Sequence, residues 1–436
     1  MILFDGKLYQ TSEQSSLLDL MEERVNFTLE HGGLCPETVI SAIDRLGRMI
    51  TEGELDDFIA ESGHAAVAEK LKESLPLLSR EYLTYKLNSE LGEDFFRRGE
   101  TKPVSGLRGV RKIPMPLGVL FHIAAGNMDV LPAYTVAEGL LTGNVNILKL
   151  PQADSGFTVT ALAKLVEIEP ALAEYIYVFD TPSSDVTAMR KMAEMADGIV
   201  VWGGDAAVSA VRSLAPPGAK LIEWGHRLSF AYISGGWSDK PEELSALAGH
   251  IVTTEQLLCS SCQTIFIDTG SMEELHGFCR DFLPFLQKAR DSHPITDIGA
   301  AAGITLKRYT AGLEAAISGI PQEEGLSYEG RMCGLTLSED SDLEVSEMFG
   351  RPRVKRLPRD RITAALRAKK GYLQTAGLIC NPRDRDTLTD ILIRCGVNRV
   401  TAAGKMSEIF SGESHDGEYS LRRYVRIANV GLPGDY

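Results

Sequence analysis

The 436-residue sequence lacks most of the features that would set it apart from ordinary globular proteins. No stretch approaches 18 uncharged apolar residues, and the opening Met1-Ile-Leu-Phe-Asp-Gly-Lys7 has neither a basic leader nor a long apolar run, so no membrane span or secretion signal is expected. Basic residues are in deficit: 45 Lys and Arg against 60 Asp and Glu give a formal net charge of -15. With no surplus to neutralise phosphates, nucleic acid and anionic membrane are excluded as general partners, although one local anion site remains open. Cysteines are few and mostly isolated. Seven of them, an odd number without a leader, fit a reducing compartment, so a cytoplasmic location is expected. Cys35, Cys279, Cys333, Cys380 and Cys395 are scattered, so the close pair Cys259 and Cys262 lacks the second ligand pair that a zinc site requires. There is no internal repeat, and no Gly-x-Gly-x-x-Gly follows an expected strand, so the usual dinucleotide fingerprint is missing.

What is present is a chain with 44% hydrophobic residues, long enough for two or three domains. Residues 1–100 read as helical. Pro36 suits a first helical turn, with Val39, Ile43, Leu46 and Ile50 on one face, and Val67, Leu71, Leu75 and Leu78 form a second stripe. From about residue 115 short apolar runs alternate with helical periodicity: Gly118–Ala124, Asn146–Leu150, Tyr175–Phe179, Gly198–Trp202 and Lys220–Glu223. Such runs predict a parallel sheet covered on both faces, a Rossmann-like α/β domain over 101–235. Trp202-Gly203-Gly204-Asp205 ends one strand and opens a helix over 206–213, offering free N–H groups and the positive end of a dipole to a pyrophosphate. Gly203-Gly204 alone is equally a plain tight turn. Gly235-Gly236 is the expected hinge into a second α/β domain over 236–405, and 406–436 is a closing segment with a strand at Tyr424–Val430 that crosses to another domain or subunit.

The stretch Thr253–Asp268 concentrates the chemistry. A small polar turn carrying Cys259 runs into Thr264-Ile-Phe-Ile, a buried strand, so the thiol sits at a strand edge, held by rigid backbone. That arrangement suits a nucleophile that gains and then loses an acyl group. The alternatives are a core cysteine or a Cys-x-x-Cys redox pair with Cys262.

Several motifs together resemble the aldehyde dehydrogenase superfamily, and within it the LuxC-type acyl-CoA reductases. They are Pro116–Asn127, Leu140–Lys149, Glu223-Trp-Gly, Gln256-Leu-Leu-Cys-Ser-Ser-Cys-Gln263, Leu373–Leu378 and His415–Arg426. The resemblance implies two Rossmann-like α/β domains, one binding nucleotide and one carrying Cys259, with a helical N-terminal segment and a C-terminal crossing strand. It implies transfer of an acyl group, fatty in the family's manner, from CoA to Cys259, then hydride reduction of the thioester to an aldehyde by NAD(P)H. Asn127 and the Cys259 N–H would face the oxyanion. Glu223 would be a base or proton shuttle, against the alternative of a pair with Arg227 or His226. Lys149 would hold the adenosine ribose or a phosphate. Gln152, where NAD-preferring members carry Glu, removes a carboxylate that would repel a 2′-phosphate, which favours NADPH over NADH. The implied partners are an acyl-CoA, an acyl-protein synthetase and further copies of the chain, as a dimer or tetramer. His415-Asp416-Gly417 reads as a loop ordering the closing segment. Competing with this reading are a CoA-independent aldehyde dehydrogenase and a non-catalytic scaffold.

Overall fold

The computed structural model describes residues 1–61, 74–97, 99–124, 131–152, 154, 156–295, 299, 301–306, 310 and 326–432. It divides into two units: Met1–Gly225 with Phe410–Tyr436, and His226–Ile409.

In the first unit a hairpin of β1 (Ile2–Phe4) and β2 (Lys7–Tyr9) precedes helices Gln14–His31, Pro36–Thr51 and Arg80–Leu91. Pro36 takes the first turn of its helix, and Val39, Ile43 and Ile50 are buried with Leu46 partly so, as the one-face spacing requires. The stripe at Val67 and Leu71 lies outside the described residues. After β3 (Gly99–Glu100) and β4 (Val110–Pro116) come the sheet strands β5 (Val119–Ile123), β6 (Val145–Lys149), β7 (Ile176–Phe179), β8 (Gly198–Trp202) and β9 (Lys220–Trp224). The sheet runs β2-β1-β7-β6-β5-β8-β9, parallel from β7 to β9. This is the order of a nucleotide-binding fold, with its reversal at β5 and β8. β5, β6 and β7 are buried along their whole length, which is why they read as unbroken apolar runs. His122 and Asn146 interrupt the runs and satisfy one another. Asn146 Oδ1 lies 3.0 Å from His122 Nε2, and Thr135 Oγ1 2.9 Å from Nδ1. Burial pushes His122 down to about 4, so the imidazole is neutral at pH 7. Asp185 caps helix Val186–Glu194 through the Ala188 N–H, and its Met189 and Met192 fill core.

The second unit holds β10 (Leu228–Ile233), β11 (Cys262–Ile267), β12 (Ser327–Glu329), β13 (Gly334–Ser338), β14 (Arg353–Arg356), β15 (Leu373–Ile379) and β16 (Arg399–Ala402), in the order β12-β13-β14-β11-β10-β15-β16. Among the described residues only its β12–β13 pair is antiparallel. Helices Pro241–Thr253, Met272–Ser292 and Arg385–Cys395 follow β10, β11 and β15, with Pro284 inside the second. The unit begins earlier than the Gly235-Gly236 hinge suggests. The run 229–234 is the central strand of this sheet, between β11 and β15, and Gly235, at φ 79°, turns the chain from that strand toward its helix. An apolar run is equally at home as the last strand of one sheet or the first of the next, and only register decides.

β17 (Val425–Gly431) returns to the first unit, antiparallel to β4 in the three-stranded sheet β17-β4-β3. The segment before it is pinned by a buried cluster. Lys86 Nζ is 2.5 Å from Glu90 and 3.1 Å from Glu138, Ser420 Oγ donates to Glu138 at 2.6 Å, and the Leu421 N–H donates to Glu90 at 2.9 Å. Among the described residues no helix is long and apolar enough to cross a membrane.

Candidate active site

In the second unit helix Pro241–Thr253 ends, and the chain crosses a tight loop before entering β11. Glu255 and Gln256 both adopt left-handed φ, 48° and 61°. Neither is glycine, so each costs on the order of 1–3 kcal/mol and persists only where its surroundings fix it. They are fixed. Buried Arg290 donates to both carboxylate oxygens of Glu255 at 2.7 Å, and the Phe349 N–H reaches the Glu255 carbonyl at 2.9 Å. The Gln256 amide donates to the Cys262 carbonyl at 2.8 Å, and its oxygen accepts from the Gly350 and Arg351 N–H groups. Gln263 donates to the Gln256 carbonyl at 2.8 Å and accepts from Ser346. His250 Nε2 accepts the Cys262 N–H at 3.2 Å, and burial holds that imidazole neutral with a pKa of about 4. Between these anchors Ser229 Oγ donates to the Cys259 carbonyl at 2.6 Å, while Ser260 and Ser407 share a hydroxyl contact of 2.8 Å.

The two thiols of the pair differ in kind. Cys259 is exposed. Cys262 is fully buried, with its thiol pushed up to about 12 by burial and its S–H directed to the Thr264 carbonyl at 3.5 Å. A buried thiol of that pKa supplies no thiolate near neutral pH, so the redox-pair reading loses its second member. The exposed thiol lies ahead of β11, at the N-terminal edge of its parallel sheet.

In the first unit the nucleotide candidates sit at the C-terminal ends of strands, where ligands of open α/β sheets bind. Lys149 ends β6 with 3% of its surface exposed and with no hydrogen-bond acceptor among the described residues. Burial lowers its pKa, and Asp180 acts in the opposite direction. An ammonium in that position is satisfied by an anionic or hydroxyl-rich ligand. Gln152 lies exposed in the turn that follows. Gly203 and Gly204 join β8 to helix Asp205–Leu214. The Gly203 N–H is taken by the Trp224 carbonyl at 3.2 Å, while a side chain at Gly204 would meet nothing within 4 Å. Asp205 in the first turn partly offsets the dipole there. Trp202 stacks on Trp224 at 5.5 Å, and His415 packs 4.9 Å from each ring, which ties the closing loop to these strand ends.

Glu223 lies in β9. Arg212 of the preceding helix holds both of its oxygens, Nε at 2.6 Å and Nη2 at 2.7 Å. The helix packs beside β9 and presents Arg212 there, a neighbour that adjacency in sequence does not reveal. Asn127 lies outside the described residues. Ser229, His250 and Ser407, which help to fix the thiol loop, escaped the sequence reading because only the fold brings them to it, while Gln256 and Gln263 stood in the quoted motif without a role.

The profile of the family described as "Acyl-CoA reductase (LuxC)" matches residues 45–427. The long-chain acyl-protein thioester reductase of Photorhabdus laumondii is 26% identical over 339 residues, covering 74% of this chain and 65% of that protein. Long-chain acyl-protein thioester reductase 2 of Photobacterium leiognathi is also 26% identical, covering 74% and 66%. The matched part therefore spans just under two thirds of these relatives' length. Among solved structures, a putative aldehyde dehydrogenase from Burkholderia cenocepacia superimposes with a TM-score of 0.73 at 15% identity, covering 100% of this chain and 98% of that one. Glyceraldehyde-3-phosphate dehydrogenase GapN from Methanocaldococcus jannaschii, complexed with NADP, gives 0.67 at 14% identity, covering 97% and 95%. The fold is thus that of the aldehyde dehydrogenases, and the chain belongs to the LuxC family of acyl-CoA reductases.

Proposed function

We propose that the protein reduces an acyl thioester to an aldehyde. The observation that carries this reading is an exposed Cys259 on a strained loop that a dense set of buried hydrogen bonds holds in one conformation. The thiolate of Cys259 attacks the acyl carbonyl, a C–S bond forms and the π pair moves to oxygen; as the carbonyl re-forms, the old C–S bond breaks and the original thiol leaves as its thiolate. Reduced nicotinamide, when bound, supplies the hydride that turns the resulting thioester into aldehyde. Lys149 would hold its ribose or a phosphate, and Gly203-Gly204 would receive the pyrophosphate. Because Asp205 offsets the helix dipole, Lys149 is assigned the main ionic contact. Gln152 leaves room for a 2′-phosphate, so NADPH is the preferred donor and NADH the alternative. Asn127 is assigned a side-chain donor role toward the oxyanion, on the family resemblance.

Glu223 separates reduction from hydrolysis. With both oxygens engaged by Arg212, its carboxylate is held as an ion-pair partner and is not poised to take a proton from water. That supports a thioester that survives until hydride arrives, over a CoA-independent aldehyde dehydrogenase. The relatives are named for acyl-protein thioesters, which supports an acyl group delivered by a protein partner, beside acyl-CoA, as the donor. Self-association into a dimer or tetramer is likewise proposed.

The test is oxidation of NADPH and of NADH by the purified chain with short and long acyl-CoA and with an acylated carrier protein, beside Cys259→Ala. Oxidation that requires both the acyl donor and Cys259 supports the reading. Reduction of NAD(P)+ by free aldehyde without CoA, and no reverse reaction, would overturn it in favour of the hydrolytic enzyme.

A further inference from the structure

The Cys259 carbonyl has an unusual anchor. Ser229 lies in β10, fully buried, and its hydroxyl donates to that carbonyl at 2.6 Å while accepting the Thr375 N–H at 3.1 Å. The strand is irregular at this point. Its register shifts between Ser229 and Phe230 against β11, and between Leu228 and Phe230 against β15. A bulge re-aims a side chain that regular pleating would send elsewhere, and such irregularities gather beside active sites. Here the re-aimed group is the hydroxyl beneath the nucleophile.

Fixing that carbonyl fixes more than one atom. A trans peptide is planar, so its C=O and N–H point in opposite directions. With the Cys259 carbonyl drawn down to a buried serine, the N–H of Ser260 is directed away from the sheet. Among the described residues nothing accepts a hydrogen bond from it. The Ser260 side chain is held separately by Ser407 at 2.8 Å. The residue next to the nucleophile is thus pinned at both its side chain and its preceding carbonyl, with its amide hydrogen left over.

We infer that the Ser260 backbone N–H is a donor to the oxyanion formed on Cys259, and that Ser229 is the positioning residue that aims it. The inference rests on the proposed acyl transfer to Cys259. As the thiolate attacks, the carbonyl π pair moves to oxygen, and a preorganised N–H beside the nucleophile stabilises that charge without reorganising.

The test uses a p-nitrophenyl ester, which acylates a reactive cysteine whatever the natural donor, with iodoacetamide as the control. Alkylation by iodoacetamide forms a C–S bond and expels iodide, with no oxyanion. Ser229→Ala is expected to slow release of p-nitrophenolate in the acylation burst by about 10–100-fold, leaving the alkylation rate of Cys259 within about twofold of the parent's. Ser229→Thr, which keeps a hydroxyl, is expected to recover much of the burst rate. Replacement of Ser260 by its α-hydroxy acid, which turns the amide into an ester and deletes the N–H, is expected to give the same selective loss. This second variant keeps the test decisive if Ser229→Ala fails to fold. Equal losses in acylation and alkylation would reduce Ser229 to a structural role, and an unchanged burst in the ester variant would overturn the inference. A parent enzyme acylated by the p-nitrophenyl ester but by no acyl thioester would sink the proposed function while leaving the Ser260 donor standing. No acylation of Cys259 at all would overturn both.

Discussion

At the scale of single residues, exposure sorts the thiols. Iodoacetamide at pH 8 is expected to label Cys259 and Cys35, the two exposed cysteines, and to spare Cys262, Cys279 and Cys333, whose burial raises their pKa to about 12, 12 and 11. Peptide mass mapping after brief labelling checks this, and early modification of Cys262 would contradict the structure. Arg212 offers a second handle. Arg212→Ala frees both oxygens of Glu223, so the share of acyl-enzyme lost as free acid should rise, by up to about tenfold if the carboxylate then activates water. Product analysis of aldehyde against acid reads it directly. Cys259 and Gly203-Gly204 stand out in the sequence as candidates because each belongs to a local pattern, a turn or strand end, and Lys149 because it ends a family-like motif. Ser229 does not, because a serine in an apolar run means nothing until β10, β11 and β15 are laid side by side.

At the scale of elements, the strands and their helices were largely legible, since runs buried on both faces admit little polarity. The allocation of β10 to the second sheet was not, because an apolar run carries no label for its sheet. Two neutral imidazoles inside the sheets and beside the thiol loop make stability depend on pH. His122 and His250 each have a folded pKa of about 4, below the unfolded value near 6.5. Between these values the unfolded chain binds more protons, so stability rises with pH and falls as pH drops from about 6.5 toward 4. The slope is at most about 1.4 kcal/mol per pH unit for each ring. Urea midpoints at pH 7 and pH 5 measure it, and a higher midpoint at pH 5 would contradict the buried neutral rings. The short turn Ala403–Lys405, just ahead of Ser407, fits against its neighbours only through glycine. A Cβ on Gly404 would stand 2.4 Å from Ala246 Cβ, and one on Gly377 2.7 Å from the Ala403 Cα. Gly377→Ala therefore forces backbone to move, at a cost of about 1–3 kcal/mol. Because Ser407 moves with that turn, the burst rate at Cys259 should fall as well.

At the scale of the whole molecule, the division into two units separates what each ligand should stabilise. If Lys149 holds the nucleotide as proposed, a saturating nucleotide raises the unfolding temperature, by the equivalent of about 2.7 kcal/mol at 100 times its dissociation constant. Lys149→Ala is expected to abolish most of that rise, and Cys259→Ala to preserve it. A melting series with NADPH and NADH checks both and ranks the two cofactors. The division also bears on how the chain is made. The first unit is interrupted: its polypeptide leaves at Gly225 and resumes only at Phe410, so β17, the neighbour of β4, is synthesised only after the whole second unit. At about 5–20 residues per second, one edge of β4 waits on the order of tens of seconds for its mate. Over that interval the nascent chain presents an open strand edge, so the need for a chaperone during biosynthesis should be greatest just before β17 is made.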